Sequence, residues 1–209
     1  MLRELGKIFG SENKVKCLRF FLANPDKQIS FWDLSKKVKI KNSELKKELK
    51  NLVAINFVTE LTLVDEEIVK LKKGKTKVKV VKEDGYELNK NYDFVDSLAN
   101  LLLDFRFIDR EEMLEDFRKY GKVKLLCLGG VFKQDEESKL DLLLVGDALD
   151  KEKIDAYIKK LEADFGTELR YAIFESEEFR YRVNMFDRLL TDFWKRPHEK
   201  VLEKISTRP

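Results

Sequence analysis

The chain reads as an α+β protein with an α/β back half, arranged as two domains joined by a helical segment. Three observations predict this. Apolar residues keep helical spacing to about residue 57 and then alternate as strands to about residue 90, while beyond residue 121 short apolar strands alternate with amphipathic helices. Charge changes sign along the chain: residues 1–90 hold 21 Lys and Arg against 13 Asp and Glu, and the remainder holds 21 against 26. At 209 residues and 43% hydrophobic content, the chain can bury two cores without covalent staples. The expected division is 1–90, a helical linker over 91–121, and 122–209.

A first helix begins after Ser11, with Val15, Leu18, Phe21 and Leu22 facing one core, and stops at Asn24-Pro25. Ser30 can cap a short second helix through Phe31, Leu34 and Val38, and residues 39–42 make the connecting turn. In a third helix Leu45, Leu49, Leu52 and Val53 fall at i, i+4, i+7 and i+8. They turn inward and leave Glu44, Lys46, Lys47, Lys50 and Asn51 outside.

Strands follow at 58–64, 68–71 and 78–81, with a hairpin tip at Lys73-Gly74-Lys75. Lys70, Lys72, Lys73, Lys75, Lys77, Lys79 and Lys82 crowd that hairpin. Three helices and a lysine-rich hairpin over residues 8–90 resemble the winged helix-turn-helix domains of bacterial and archaeal regulators. The resemblance implies a double-stranded DNA partner. Lys46, Lys47, Lys50, Lys72, Lys73, Lys75 and Lys77 would meet phosphate, and Asn42, Ser43 and Asn51 would reach base edges. The same lysines also suit a plain solvated face.

From Phe94 a long helix to about residue 108 carries Val95, Leu98, Leu102 and Phe105 on one stripe, widened by Leu101, Leu103, Phe107 and Ile108. Burial between domains and a homodimer interface both account for so broad a face. A second helix runs from Asp109 to Tyr120 and ends at Gly121. Strands are expected at 123–128, 140–145 and 168–174, a helix capped by Asp150 and ended by Gly166, and another opened by Ser176 through Phe179, Val183, Phe186 and Leu190.

Leu128-Gly129-Gly130, then Lys139-Leu140-Asp141-Leu142 after eight residues, carry the most chemical information. With Glu168-Leu169-Arg170-Tyr171 and the segment 178–182, they resemble the minimal nucleotidyltransferase domains fused behind winged helices in some prokaryotic regulators. In that family a Gly-Gly or Gly-Ser turn holds phosphates and an Asp-x-Asp strand binds divalent cations. Here Lys139 stands at the first acidic position, Asp141 at the second, and Glu168 is the nearest third carboxylate. An ammonium where a hard cation needs oxygen implies a degenerate site with no metal, no cofactor and no catalysis. Lys139, two residues from Asp141 on one strand face, is expected to compete for its charge, and Lys139→Asp to favour metal binding.

Cys17 and Cys127 lack CxxC spacing, which argues against a disulfide framework and fits a reducing compartment. No apolar run approaches the roughly 20 residues that span a bilayer, so a cytoplasmic location without membrane contact is expected. His198, the single histidine, reads as a surface residue, and the aromatic residues 20, 21, 31 and 32 as core. The function expected is that of a homodimeric transcriptional regulator whose back domain dimerises or senses a ligand. The alternatives are an active nucleotidyltransferase, the antitoxin of a toxin pair, or an adaptor that binds protein instead of DNA.

Overall fold

The computed structural model describes residues 2–70, 76–105 and 108–207; for 65–70 and 76–81 it describes only the backbone path. The protein is a mixed α+β fold. The chain divides into two compact units, one formed by Leu2–Leu103 with Ala163–Thr167, the other by Asp104–Glu162 with the chain from Glu168 onward. The division falls inside the 91–121 segment.

The front unit contains helices α1 (Leu2–Phe9), α2 (Glu12–Ala23), α3 (Phe31–Val38), α4 (Asn42–Ala54) and α5 (Val95–Leu102), and strands β1 (Ile29–Ser30), β2 (Val58–Lys70) and β3 (Thr76–Leu88). Ser11 caps α2 by accepting the amide of Lys14 at 2.9 Å, and Ser30 caps α3 by accepting that of Asp33 at 3.2 Å. Lys39, left-handed at φ 51°, ends α3 and releases the chain toward α4. Leu45, Leu49 and Leu52 of α4 bury against a core that includes Val15, Phe21, Leu34 and Phe57. Helix α1 was not legible in the sequence.

The expected strands 58–64 and 68–71 are one strand, β2. It pairs antiparallel with β3 continuously from Val58↔Leu88 to Lys70↔Thr76, and β1 adds only Ile29↔Tyr86 and Ser30↔Gly85. The tip, with Lys72, Lys73 and Lys75, lies outside the described residues.

Helix α5 ends at Leu102, well short of residue 108. Leu102 is fully buried, and Val95, Leu98, Ala99 and Leu103 pack against the front core, which leaves Phe94 and Leu101 outside. Four of the eight residues of the broad apolar stripe are therefore covered within the front unit. Phe107 lies outside the described residues. Arg19, also missed, is buried in the same unit, where its Nε donates to Leu102 O at 2.9 Å and its Nη1 to Asp164 O at 2.8 Å.

The back unit is built on a sheet of order β6-β5-β4-β7, from β4 (Lys122–Leu128), β5 (Leu142–Asp147), β6 (Tyr171–Glu175) and β7 (Glu199–Glu203). β4 is antiparallel to β5 and β7, and β5 is parallel to β6. A parallel pair needs a crossover, and α7 (Lys151–Phe165) supplies it, with Asp150 accepting the amide of Lys153 at its start. Helices α6 (Arg110–Arg118), α8 (Ser176–Asn184) and α9 (Arg188–Lys195) complete the unit. The single helix expected through Leu190 is two helices, because Phe186 turns left-handed at φ 51° and Asp187 caps a new start through the amides of Leu189 and Leu190. Strand β7 follows a proline in a charged segment and gave no apolar alternation to find.

Among the described residues no helix is long and apolar enough to cross a membrane. Cys17 and Cys127 are free, fully buried, and pushed up to about 12 chiefly by that burial. The thiolate is the reactive form, so neither thiol should react with a disulfide reagent at pH 8 in the native protein. Both should titrate once the chain is unfolded; rapid native labelling of either would contradict the packing.

Candidate functional site

Two sets of residues bear on function, one in each unit. In the front unit Asn42, Ser43, Lys46, Lys47, Lys50 and Asn51 are all exposed on α4. They share the helix with the buried leucines, so the outward face is fixed by the packing of the inward one. Two of them have neighbours: Asn42 Oδ1 accepts the Ser35 hydroxyl at 2.8 Å, and the Lys46 ammonium stands 5.6 Å from the centre of the Phe31 ring. Glu48 points the other way. Its carboxylate is buried and accepts the Ser11 hydroxyl at 2.5 Å, which removes an acidic group from the α4 surface. Lys77 lies in β3 opposite Val69, with only its backbone described.

In the back unit the Gly129-Gly130 turn closes β4. Gly130 opens a 3-10 turn through Lys133, and the amide of Gly129 donates to Asp141 O at 2.9 Å. Asp141 is fully buried just before β5, and four donors converge on its carboxylate. Oδ1 accepts from Val131 N at 2.9 Å and Arg170 Nη2 at 2.9 Å; Oδ2 accepts from Arg170 N at 2.7 Å and Arg170 Nε at 3.0 Å. The guanidinium grips the carboxylate in the bidentate geometry that makes such pairs strong. Hydrogen bonding to Asp141 raises the pKa of Arg170 above the usual arginine range.

Gly130 is explained by this clamp, and Gly129 by a neighbouring ring. Gly130 has φ +47°, and a Cβ there would fall 1.9 Å from Asp141 Oδ1; one on Gly129 would meet the Phe193 ring at 2.6 Å. Both residues are bare because a carboxylate and an aromatic ring press on them.

Lys139 departs from expectation. It precedes β5, as Asp141 does, so strand alternation does not govern the pair. Its ammonium lies 3.4 Å from Asp192, which Arg188 also approaches at 3.8 Å. The charge of Asp141 is met by Arg170, and the sequence signal available for it was only an arginine at the head of an expected strand. Glu168 is exposed, ahead of β6, which starts three residues later than expected. His198 is half-buried: its Nδ1 lies 2.8 Å from Arg196 O, and its ring is 5.5 Å from Phe193 and 5.2 Å from Trp194. Those rings and the carbonyl take it off the open surface.

The acidic loop 131–138 is held by arginines. Arg196 binds Asp135 at 3.0 Å and Glu137 at 3.0 Å, and Arg170 Nη1 donates to Glu136 O at 3.3 Å. A cleft of about 520 Å3 opens alongside, lined by Glu137, Lys139, Asp192, Lys195, Arg196 and Pro197. Two carboxylates and three cations line it. No cluster of three or more His, Cys, Asp or Glu able to hold a metal occurs among the described residues.

No protein-family model matches the chain, and no curated protein matches it.

The clamp predicts an asymmetry. Arg170→Ala strands a buried carboxylate with two amide donors and should cost about 3 kcal/mol, the low end for a buried pair because Arg170 is 44% exposed. Asp141→Asn frees the arginine to turn to water but sets its new amide donor against a backbone amide that also donates, and should cost about 2 kcal/mol. Urea unfolding of both variants checks the order. Lys139→Asp alone should leave divalent-cation binding unchanged by calorimetry, since it does not free the oxygens of Asp141.

Proposed function

We propose that the protein is a DNA-binding transcriptional regulator whose front unit is a winged helix-turn-helix and whose back unit is a nucleotidyltransferase-like module that does no nucleotidyl transfer. The exposed basic face of α4 carries the first half of this reading. Lys46, Lys47 and Lys50 point outward together while the nearby carboxylate of Glu48 is withdrawn into the core. The helix is followed by the paired strands β2 and β3, and residues 58–88 hold seven of the sixteen other lysines of residues 1–90. Lysine supplies point-charge attraction to phosphate, so affinity is expected to be strongly ionic, with base discrimination left to Asn42, Ser43 and Asn51.

The order of the back unit supports the second half. A glycine turn closes β4, Asp141 stands at the head of the antiparallel β5, and α7 crosses to the parallel β6. This is the arrangement on which a carboxylate pair would present metal ions to a nucleotide. Loss of the chemistry is supported by the capture of Asp141, because an oxygen that accepts two strong donors has little left for a cation. An active nucleotidyltransferase remains the competing reading.

Binding to duplex DNA should weaken with salt with a slope of about −4 to −5 in log K against log salt, for about 5 phosphates neutralised. Lys46→Glu, Lys47→Glu and Lys50→Glu combined should abolish binding and leave the circular dichroism spectrum unchanged. Undiminished affinity in that variant would sink the DNA assignment. For the back unit, labelled nucleoside triphosphate with Mg2+ or Mn2+ should give no incorporation; activity that vanishes in Asp141→Asn would establish the competing reading.

A further inference from the structure

Trp32 reads as core in the sequence, where it follows Phe31 at the head of a helical pattern, but it is 57% exposed in the structure. Phe31, Leu34 and Val38 take the inward positions of α3, and helical geometry then turns residue 32 outward. A lone apolar side chain at a surface needs no explanation. The neighbours of this one supply a reason.

Two contacts place the indole beside α4. The Phe31 ring meets it edge to face at 5.4 Å and stands 5.6 Å from the Lys46 ammonium, so indole and ammonium flank a single buried ring. Ser35, three residues on and so on the same side of α3, donates to Asn42 Oδ1 at 2.8 Å in the first turn of α4. The surroundings are positive. Lys39, Lys41, Lys46, Lys47 and Lys50 are exposed and form no ion pair among the described residues. The exposed carboxylates of the two helices are taken: Asp33 holds the Lys36 ammonium at 3.1 Å and the Ser30 hydroxyl at 3.2 Å, and Glu44 accepts from Asn13 at 2.8 Å. An apolar plate set among unpaired ammonium groups suits a ligand whose negative charges are separated by apolar surface. A DNA strand is built that way, with deoxyribose rings between its phosphates.

We propose that Trp32 is a duplex-DNA contact: its indole lies against a deoxyribose of the strand whose phosphates meet Lys46, and its Nε1–H donates to a phosphate oxygen. This rests on the reading of the front unit as a DNA-binding domain and adds to it a residue that acts by a different force. The lysines contribute by releasing counterions, which added salt undoes. An indole carries no charge, so its share of the affinity persists as salt rises.

The test measures binding of a labelled DNA duplex by the full chain over a range of salt concentrations. Trp32→Ala should weaken binding about 10-fold at every salt concentration, as loss of an aromatic anchor does, and leave the slope of log K against log salt as in wild type. Lys46→Ala should instead lower the magnitude of that slope by about 0.9. Trp32→Phe keeps an apolar ring without the Nε1–H and should fall between wild type and Trp32→Ala. Because the side chain is exposed, neither Trp32 variant should change the Tm by more than about 2 °C. In a Trp194→Phe background Trp32 is the sole tryptophan, and its emission should be quenched in step with the binding curve. If wild type binds duplex, the proposal is overturned by unaltered affinity in Trp32→Ala, by a loss that comes with a shallower slope, or by emission unchanged at saturating duplex; the functional reading then stands. A loss confined to single-stranded DNA, for which an exposed ring is a stacking platform, overturns it as well. A wild type that binds no DNA overturns both, so the two failures are told apart.

Discussion

A carboxylate cut off from water must receive its hydrogen bonds from protein, and Asp141 receives four. The donors come from two places distant in sequence, the turn after β4 and the residue that precedes β6. With the backbone bonds from Gly129 N to Asp141 O and from Asp141 N to Arg170 O, the start of β5 is held on both sides. One side chain thus ties together the ends of β4, β5 and β6, three neighbours in the sheet. Gly130 follows from it as well: the turn approaches the carboxylate so closely that there is no room for a methyl group. A short motif that suggested a cradle for phosphate is here a cradle for an aspartate of the same chain.

The front unit solves a related problem on α4. Glu48, on the inner edge of that helix, is buried with one oxygen accepting from Ser11, the same hydroxyl that caps α2, while its other oxygen has no hydrogen-bond partner among the described residues. One serine thus sets the start of α2 and ties it to the middle of α4. The lysines opposite are left to the solvent face, where each added charge strengthens the positive field of α4.

Periodicity made most of the helices legible, because a helix with one buried face repeats in a way that a sequence cannot hide. Ser11, Ser30 and Asp150 marked starts correctly since capping is a local interaction. The failures have physical causes too. β2 looked like two strands because Asp65-Glu66-Glu67 breaks the apolar alternation, yet ladder hydrogen bonds need no particular side chain. The stop of α5 at Leu102 and the break at Phe186 depend on tertiary fit, against the helical spacing of the apolar residues around them. The partner of Asp141 could not be found from Lys139, two residues away, because the pairing runs across 29 residues and is set by the parallel crossover. Arg19, in the middle of an apolar run, carried no sign that it would satisfy carbonyls of Leu102 and Asp164.

The clamp has an evolutionary consequence. To bind a cation, Asp141 would have to exchange an arginine for a metal, and a neighbouring position such as Lys139 would have to supply a second carboxylate. Changing Lys139 first accomplishes nothing while Arg170 holds both oxygens. Changing Arg170 first leaves a buried charge without its counterion, at a cost large against the stability of an ordinary domain. One route gains nothing until its second step and the other crosses a destabilised intermediate, so the two substitutions are of use only together, which is epistasis imposed by packing. An aspartate bound to an arginine in this way acts as a ratchet: drift is free to alter the cleft around it, but single steps do not lead back to a metal site.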